Sequence, residues 1–129
     1  MKTFDTPIFH RAFVVPQVSD TDYGSGVYHG RYFALYNQAR DQFLADLGVS
    51  YPALMKQDMH LTVAELNCKY MKPVFYSERI LVLSKVTWLP SRSLGVCQQM
   101  VLEDDTEDGP VIKNEVEFSL VCDNSKGKA

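Results

Sequence analysis

One long helical segment, set between a first predicted strand and a run of four more, constrains the fold of this chain most. From Gly30 to Leu47, apolar residues recur at steps of three and four, which is the spacing of one helical face. Gly48 follows as a residue suited to end a helix. At 1.5 Å per residue, the helix would be ~27 Å long.

The remainder of the chain is predicted to form strands. Residues 8–18 are rich in Ile, Phe and Val and predict a first strand, with Pro16 marking an edge or bend near its end. A short connection at 51–57 has a helical pattern. The four strands after it are predicted at 60–71, 78–89, 93–103 and 111–122. In the last of these, Val, Phe and Leu alternate with Glu and Ser, so one face is expected to be buried and the other solvated.

This order of elements predicts an α+β fold. One helix cannot cover both faces of a five-stranded sheet, so the simplest solution is an antiparallel sheet curled round the helix. The strand edges or the far face would then serve oligomerisation. A length of 129 residues fits one compact domain spanning residues 1–129.

Composition and charge exclude several classes of protein. The net charge is −3 and the 13 Lys and Arg residues are scattered, which argues against a nucleic-acid partner. Three cysteines without CxxC spacing predict reduced thiols in a cytosolic protein, with neither a disulfide framework nor a zinc site. The first residues lack a signal-peptide core, and no apolar run approaches the ~20 residues of a membrane span. We therefore expect a cytoplasmic protein without membrane insertion.

The loop 20–30 before the helix concentrates the residues that chemistry requires. It contains two carboxylates, three glycines and His29 at the predicted helix start. A helix N-terminus presents free N–H groups and a positive dipole end, which can polarise a carbonyl and hold an oxyanion. An upstream carboxylate can activate water or attack directly. The same residue types are also ordinary caps, turns and packing residues, and the residues alone leave both interpretations open.

A family resemblance favours the catalytic interpretation. The segments Asp20-Thr21-Asp22 and Val27-Tyr28-His29, with Tyr32, resemble the signature of the 4-hydroxybenzoyl-CoA thioesterase-like family of hotdog-fold proteins. They are especially similar to the short acyl-CoA thioesterases associated with the Tol-Pal system. The resemblance extends over nearly the whole chain, through Tyr70-Met71-Lys72-Pro73-Val74, Ser93-Leu94 with Gln98, and Asn114-Glu115. It implies a hotdog fold, in which a five-stranded antiparallel sheet wraps one long central helix.

The resemblance also implies roles for particular residues. Asp22 matches the family's catalytic carboxylate, as general base or nucleophile, and His29 matches the position seven residues on. Independently of the resemblance, Asp20 is expected to be a cap or turn-former, because two neighbouring ionised carboxylates aimed at one site would repel each other. The residues expected to bind substrate are Tyr28, Gly30, Arg92 and Ser93. Arg92 lies where members carry basic residues that meet the CoA phosphates, and a solvated turn residue is its alternative.

The implied activity is hydrolysis of an acyl-CoA thioester to free acid and CoA, without a metal and without a cofactor other than the CoA of the substrate. The implied assembly is a homodimer or homotetramer with each site at a subunit interface. The chain departs from the family pattern in three places. Val18 replaces an aromatic residue and Ser25 a glycine, which puts the substrate pocket and the loop path in doubt. Ser77-Glu78 replaces a Gly-Asp pair, a conservative change if the acid only caps a turn. A non-catalytic protein that binds acyl-CoA or an acyl carrier protein is therefore the alternative, and a hotdog dehydratase a third possibility.

Overall fold

Five strands form one antiparallel sheet in the order β1-β3-β4-β5-β2. The computed structural model describes residues 9–88, 93–103 and 109–124. The strands are β1 (His10–Val14), β2 (His60–Tyr70), β3 (Ile80–Trp88), β4 (Ser93–Leu102) and β5 (Val111–Asp123). The helices are α1 (Tyr32–Asp46) and α2 (Tyr51–Lys56), and 3₁₀ turns cover Val18–Asp20 and His29–Arg31. The predicted fold class, one long helix with a five-stranded antiparallel sheet, is confirmed.

The predicted boundaries differ from the structure mainly at the first strand and at the helix start. β1 ends at Val14, because Pro16 and the 3₁₀ turn at Val18–Asp20 redirect the chain. A 3₁₀ turn occupies the first residues of the predicted helix, so α1 begins at Tyr32 and measures ~22 Å. The four later strands begin and end within two residues of their predicted bounds.

Gly48 ends α1 as predicted. Its φ of +85° lies in the left-handed region that glycine enters without strain. Its N–H donates to the Ala45 carbonyl, and the N–H of Val49 donates to the Leu44 carbonyl. These two hydrogen bonds are those of a Schellman motif, which satisfies carbonyls at the end of the helix.

Two buried polar residues fix α1 on the sheet. The Tyr36 hydroxyl donates to Asn114 Oδ1 on β5 at 2.7 Å. Gln98 Nε2 on β4 donates to the Tyr36 carbonyl at 3.1 Å and to Ser84 Oγ on β3 at 3.0 Å. Apolar side chains surround this network: Val14, Val27, Tyr32, Leu35, Ala39, Phe43, Val74, Ile80, Val82, Val96, Met100, Val116, Phe118 and Leu120. Because buried hydrogen bonds are directional, this network sets where the N-terminal end of α1 lies over the sheet.

The segment 71–78, between β2 and β3, is bonded to the loop that precedes α1. The Val27 N–H donates to the Val74 carbonyl and the Tyr76 N–H to the Ser25 carbonyl, both at 2.8 Å. A further bond joins the Ser77 N–H to the Pro16 carbonyl at 3.2 Å. These bonds hold the loop 20–30 against the carboxyl end of β2.

Candidate active site

Asp20 is the structural member of the Asp20/Asp22 pair. Its side chain is buried, and Oδ1 accepts hydrogen bonds from Arg31 Nε at 3.0 Å and Nη2 at 2.8 Å. Its Oδ2 accepts the Gln17 N–H at 2.8 Å, which closes the 3₁₀ turn. The interpretation of Asp20 as a turn-former agrees with these contacts, although it braces the loop through Arg31 and does not cap α1.

Asp22 lies two residues on, with an exposed side chain. Its N–H donates to the Gly26 carbonyl at 3.0 Å, which closes a tight turn in between. Gly24 and Ser25 take φ values of +92° and +63° to make that turn. Among the described residues, none forms an ion pair with the Asp22 carboxylate. The carboxylate is therefore open to solvent or to a ligand.

The 3₁₀ turn at His29–Arg31 supplies potential oxyanion donors. Its first internal hydrogen bond runs from the Arg31 N–H to the Tyr28 carbonyl at 2.8 Å, so the N–H groups of His29 and Gly30 precede the bonded ladder. The turn continues directly into α1, whose dipole places partial positive charge at this end. Donors of this kind stabilise an oxyanion that develops beside them.

Tyr28 covers the start of this turn. Its ring contacts the His29 ring at a tilt of 36°, with centroids 4.3 Å apart, and its N–H donates to the Asp20 carbonyl at 2.9 Å. A Cβ at Gly30 would meet Tyr28 Cε2 at 3.0 Å, a distance too short for a side chain without a shift of the ring. A larger residue at position 30 would therefore displace the exposed Tyr28 ring by a few tenths of an ångström.

Two tyrosines connect the turn to the 71–78 segment. The Tyr70 hydroxyl donates to the His29 carbonyl at 2.9 Å, and the Tyr32 hydroxyl accepts the Val74 N–H at 3.1 Å. The two rings meet edge to face, 5.1 Å apart. Burial raises the pKa of both phenols, that of Tyr70 to about 12, so both remain protonated at neutral pH.

An open cavity of about 390 Å³ lies at this end of α1. Its lining residues are Asp22, Val27, His29, Tyr32, Tyr70, Met71, Lys72 and Pro73. The volume falls in the ~300–1,000 Å³ range of small-molecule sites. A second cavity of about 360 Å³, near Arg40 and Tyr51, lies toward the other end of α1. We assign the candidate active site to the first cavity, because the exposed Asp22 carboxylate lines it together with His29, the first residue of the 3₁₀ turn that leads into α1.

Lys113, on β5, anchors the part of the cavity wall that is formed by Met71, Lys72 and Pro73. Its buried ammonium donates to the Pro73 carbonyl at 2.9 Å and to both carboxylate oxygens of Glu78, at 3.0 and 3.1 Å. Its backbone carbonyl accepts the N–H groups of Met71 and Lys72. Both ends of the 71–78 segment are therefore anchored on one residue of β5.

The structure brings together some of the predicted site residues and separates others. Asp22 and His29 line the same cavity, and Tyr28 and Gly30 belong to the same turn. Ser93 begins β4 opposite Val121, which in turn pairs with Thr62 on β2. Thr62 is eight residues, or ~26 Å along the strand, from Tyr70 at the end of β2. Within one chain, Ser93 is thus remote from Asp22, and Arg92 lies outside the described residues.

Sequence reasoning gave no separate role to Tyr70, Lys72 or Lys113. Tyr70 and Lys72 had a signal only as members of the segment Tyr70 to Val74, which resembles a family segment. Lys113 had none, because a lysine at the start of an amphipathic strand ordinarily faces solvent. No group of three or more His, Cys, Asp or Glu side chains suited to a metal ion occurs in the described part of the chain.

The fold, one long helix against a five-stranded antiparallel sheet, is that of the hotdog proteins. The family model of the thioesterase-like superfamily matches residues 16–129. An acyl-CoA thioester hydrolase of Escherichia coli, YbgC, is 30% identical over 103 residues, which cover 80% of this chain and 73% of that protein. The chain belongs to the thioesterase-like superfamily, and the prediction that it is a hydrolytic enzyme is confirmed.

Solved structures show the same fold. A probable thioesterase from Bartonella henselae superposes with a TM-score of 0.84 at 19% identity and covers 94% of this chain and 96% of its own. A DHNA-CoA thioesterase from Staphylococcus aureus superposes with a TM-score of 0.82 at 24% identity, over 93% of this chain and 78% of its own. No helix among the described residues is long and apolar enough to cross a bilayer.

Proposed function

We propose that this chain hydrolyses acyl-CoA thioesters to free acid and CoA at the cavity lined by Asp22 and His29. The observation that carries the proposal is the exposed Asp22 carboxylate in one cavity with His29, the first residue of the 3₁₀ turn that leads into α1. The similarity to an acyl-CoA thioester hydrolase supports the substrate class. No cofactor is needed, because CoA enters and leaves as part of the substrate and product.

In the proposed reaction, the thioester carbonyl oxygen accepts hydrogen bonds from the N–H groups of His29 and Gly30. Asp22 then acts in one of two ways. As a general base it removes a proton from water, whose oxygen attacks the carbonyl carbon and expels CoA thiolate. As a nucleophile it attacks directly, releases the thiolate, and forms an anhydride that water hydrolyses. In both routes the negative charge on the carbonyl oxygen is stabilised by the same donors.

The experiment compares Asp22→Asn with the wild type on a panel of CoA thioesters, with detection of the released thiol. Asp22→Asn keeps the volume and removes the base, so kcat should fall by ~10²–10⁴. Asp41→Asn is the matched control, because Asp41 is another exposed carboxylate, on α1 away from this cavity. Full activity in Asp22→Asn would overturn the mechanism. Tight binding of acyl-CoA by a wild type without turnover would establish the binding-protein alternative.

We further propose a homodimer, or a tetramer built from such dimers, that forms through β2. This strand of 11 residues lies at one end of the sheet order, so β5 bonds only one of its edges. Val63, Leu66 and Tyr70 on it are large and exposed. A long, exposed, apolar edge strand is a ready template for pairing. Pairing with a second copy about a two-fold axis is antiparallel and would bring the partner's β2 close to the Asp22 cavity.

Light scattering after size exclusion tests the assembly. A dimer of the 14.7 kDa chain should give twice that mass at micromolar concentration. Leu66→Glu places a charge on the proposed interface and should yield a monomer, whereas Leu47→Glu, at an exposed position just after α1, should not. A wild type that elutes only as a monomer rules out this assembly.

A further inference from the structure

Tyr70 contacts the proposed oxyanion site through a single peptide group. Its hydroxyl donates to the His29 carbonyl at 2.9 Å, across 41 residues of sequence. That carbonyl shares its planar peptide unit with the Gly30 N–H. In a trans peptide the C=O and N–H point to opposite sides. A donor bound to the carbonyl therefore fixes the direction in which the Gly30 N–H points.

The same contact changes how strongly this N–H donates. A hydrogen bond to a peptide carbonyl polarises the amide, and hydrogen bonds in a chain strengthen one another. Such a series of hydrogen bonds would run from Tyr70 Oη through the His29–Gly30 peptide to the substrate carbonyl oxygen. The chain would be strongest when the substrate oxygen carries negative charge, because charge-assisted hydrogen bonds are about twice as strong as neutral ones.

We propose that Tyr70 is a positioning residue for thioester hydrolysis, which acts by orienting and polarising the His29–Gly30 peptide so that the Gly30 N–H stabilises the oxyanion. The inference rests on the proposed function, since it assigns an oxyanion to this site. Tyr70 does not touch the reacting atoms in this role. It acts through the peptide.

The surroundings of Tyr70 suit this role better than a role in core packing. Its hydroxyl bonds the main-chain carbonyl of His29, and its ring rests edge to face on Tyr32. Tyr32 is itself fixed, because its ring is buried and its hydroxyl accepts the Val74 N–H. Burial, and then the neighbouring Cys68, raise the pKa of Tyr70 to about 12, so the donating proton is retained across the assay range.

Tyr70→Phe tests the proposal, since it removes the hydroxyl and keeps the ring. The loss of one neutral hydrogen bond in the chain should lower kcat roughly three- to tenfold. KM should change less than twofold and the melting temperature by no more than a few degrees. Tyr51→Phe is the matched control, because Tyr51 is also exposed and lies near the other end of α1. An unchanged kcat in Tyr70→Phe, or an equal fall in Tyr51→Phe, overturns the proposal.

Two further measurements separate positioning from a structural role. The Gly30 amide resonance should move in the ¹H–¹⁵N spectrum of Tyr70→Phe and not in that of Tyr51→Phe, whether or not a substrate is known. Fluorotyrosines at position 70, whose hydroxyls are more acidic donors, should raise kcat in the order of their acidity. A flat series or an unmoved Gly30 resonance contradicts the proposal. A wild type without any thioester hydrolysis is a failure of the proposed function, whereas turnover insensitive to Tyr70→Phe is a failure of this inference alone.

Discussion

Lys113→Met should destabilise the protein and loosen the wall of the candidate active-site cavity. The substitution retains most of the apolar length of the side chain and removes an ammonium that makes three hydrogen bonds. Glu78 is then left as an unpaired carboxylate, and the Pro73 carbonyl loses its ammonium donor. The Lys113 and Glu78 side chains are 9% and 22% exposed, so water replaces these contacts only in part.

The magnitude follows from that burial. Breaking a buried ion pair by removing one partner costs about 3–5 kcal/mol, because the remaining charge is uncompensated. Since Glu78 retains some contact with solvent, we expect the free energy of unfolding to fall by about 2–3 kcal/mol. For a domain of this size, that corresponds to a drop in Tm on the order of 10 °C.

A double-mutant cycle with Glu78→Gln isolates the pair. The glutamine amide oxygen can still accept the Phe75 N–H, which Glu78 Oε1 accepts at 2.7 Å, so that change removes mainly charge. The double variant leaves neither charge unpaired and should cost less than the sum of the two single changes. Urea unfolding of all four proteins measures this, with Lys56→Met as an exposed lysine control at the end of α2. Costs that add within about 0.5 kcal/mol would refute the reasoning, since uncoupled residues behave in that way.

Three further predictions concern substrate binding, backbone strain and pH. Arg92→Ala should raise KM for acyl-CoA and leave kcat similar, and an unchanged KM in steady-state assays would locate the CoA phosphates elsewhere. Ser77→Gly should raise the free energy of unfolding by roughly 0.5–1 kcal/mol, because Ser77 has a φ of +63° and glycine adopts this conformation without strain; Ser77→Ala should show no gain. Burial, followed by Glu115 and Glu117, raises the pKa of Cys97 from 9.0 to about 11. The unfolded chain therefore loses this proton first, so stability should decline as the pH rises from about 9 to 11, and Cys97→Val should weaken the decline in unfolding experiments across that range.

The element order could be predicted from sequence because it depends on local periodicity. Helix α1 and the four later strands follow from apolar spacing alone, with errors of two residues or fewer at the ends. The strand order could not be obtained in this way. β2 lies at the edge and β4 near the centre, yet both are apolar-rich runs of similar length. Which strand is central depends on pairing between distant residues, and periodicity does not encode such pairing.

The departures from the family pattern show a second limit of sequence reasoning. Ser25 and Ser77 both stand where members usually carry glycine. The change at Ser25 puts the path of its loop in doubt, whereas the change at Ser77 is expected to be conservative. The structure gives both serines left-handed φ values of +63°, so the backbone conformation is the one that glycine favours. Backbone hydrogen bonds of the two serines hold it there: the Ser25 carbonyl accepts the Tyr76 N–H, and the Ser77 N–H donates to the Pro16 carbonyl. Tertiary hydrogen bonds thus hold the two serines in a left-handed conformation that serine by itself disfavours.

The roles of Asp20 and Asp22 follow from the same principle of long-range contacts. Both precede the helix, and neither residue type nor spacing distinguishes them. Arg31, eleven residues later, binds the Asp20 carboxylate, and the Tyr28 N–H binds its backbone carbonyl. Asp20 thereby ties the loop to the start of the helix through both side chain and backbone, and its charge is compensated. Asp20 therefore presents no unpaired negative charge to Asp22. The same hydrogen bonds hold the proposed base, Asp22, and the proposed oxyanion donors in one loop. Hydrolysis of a thioester requires donors that are preorganised in this way.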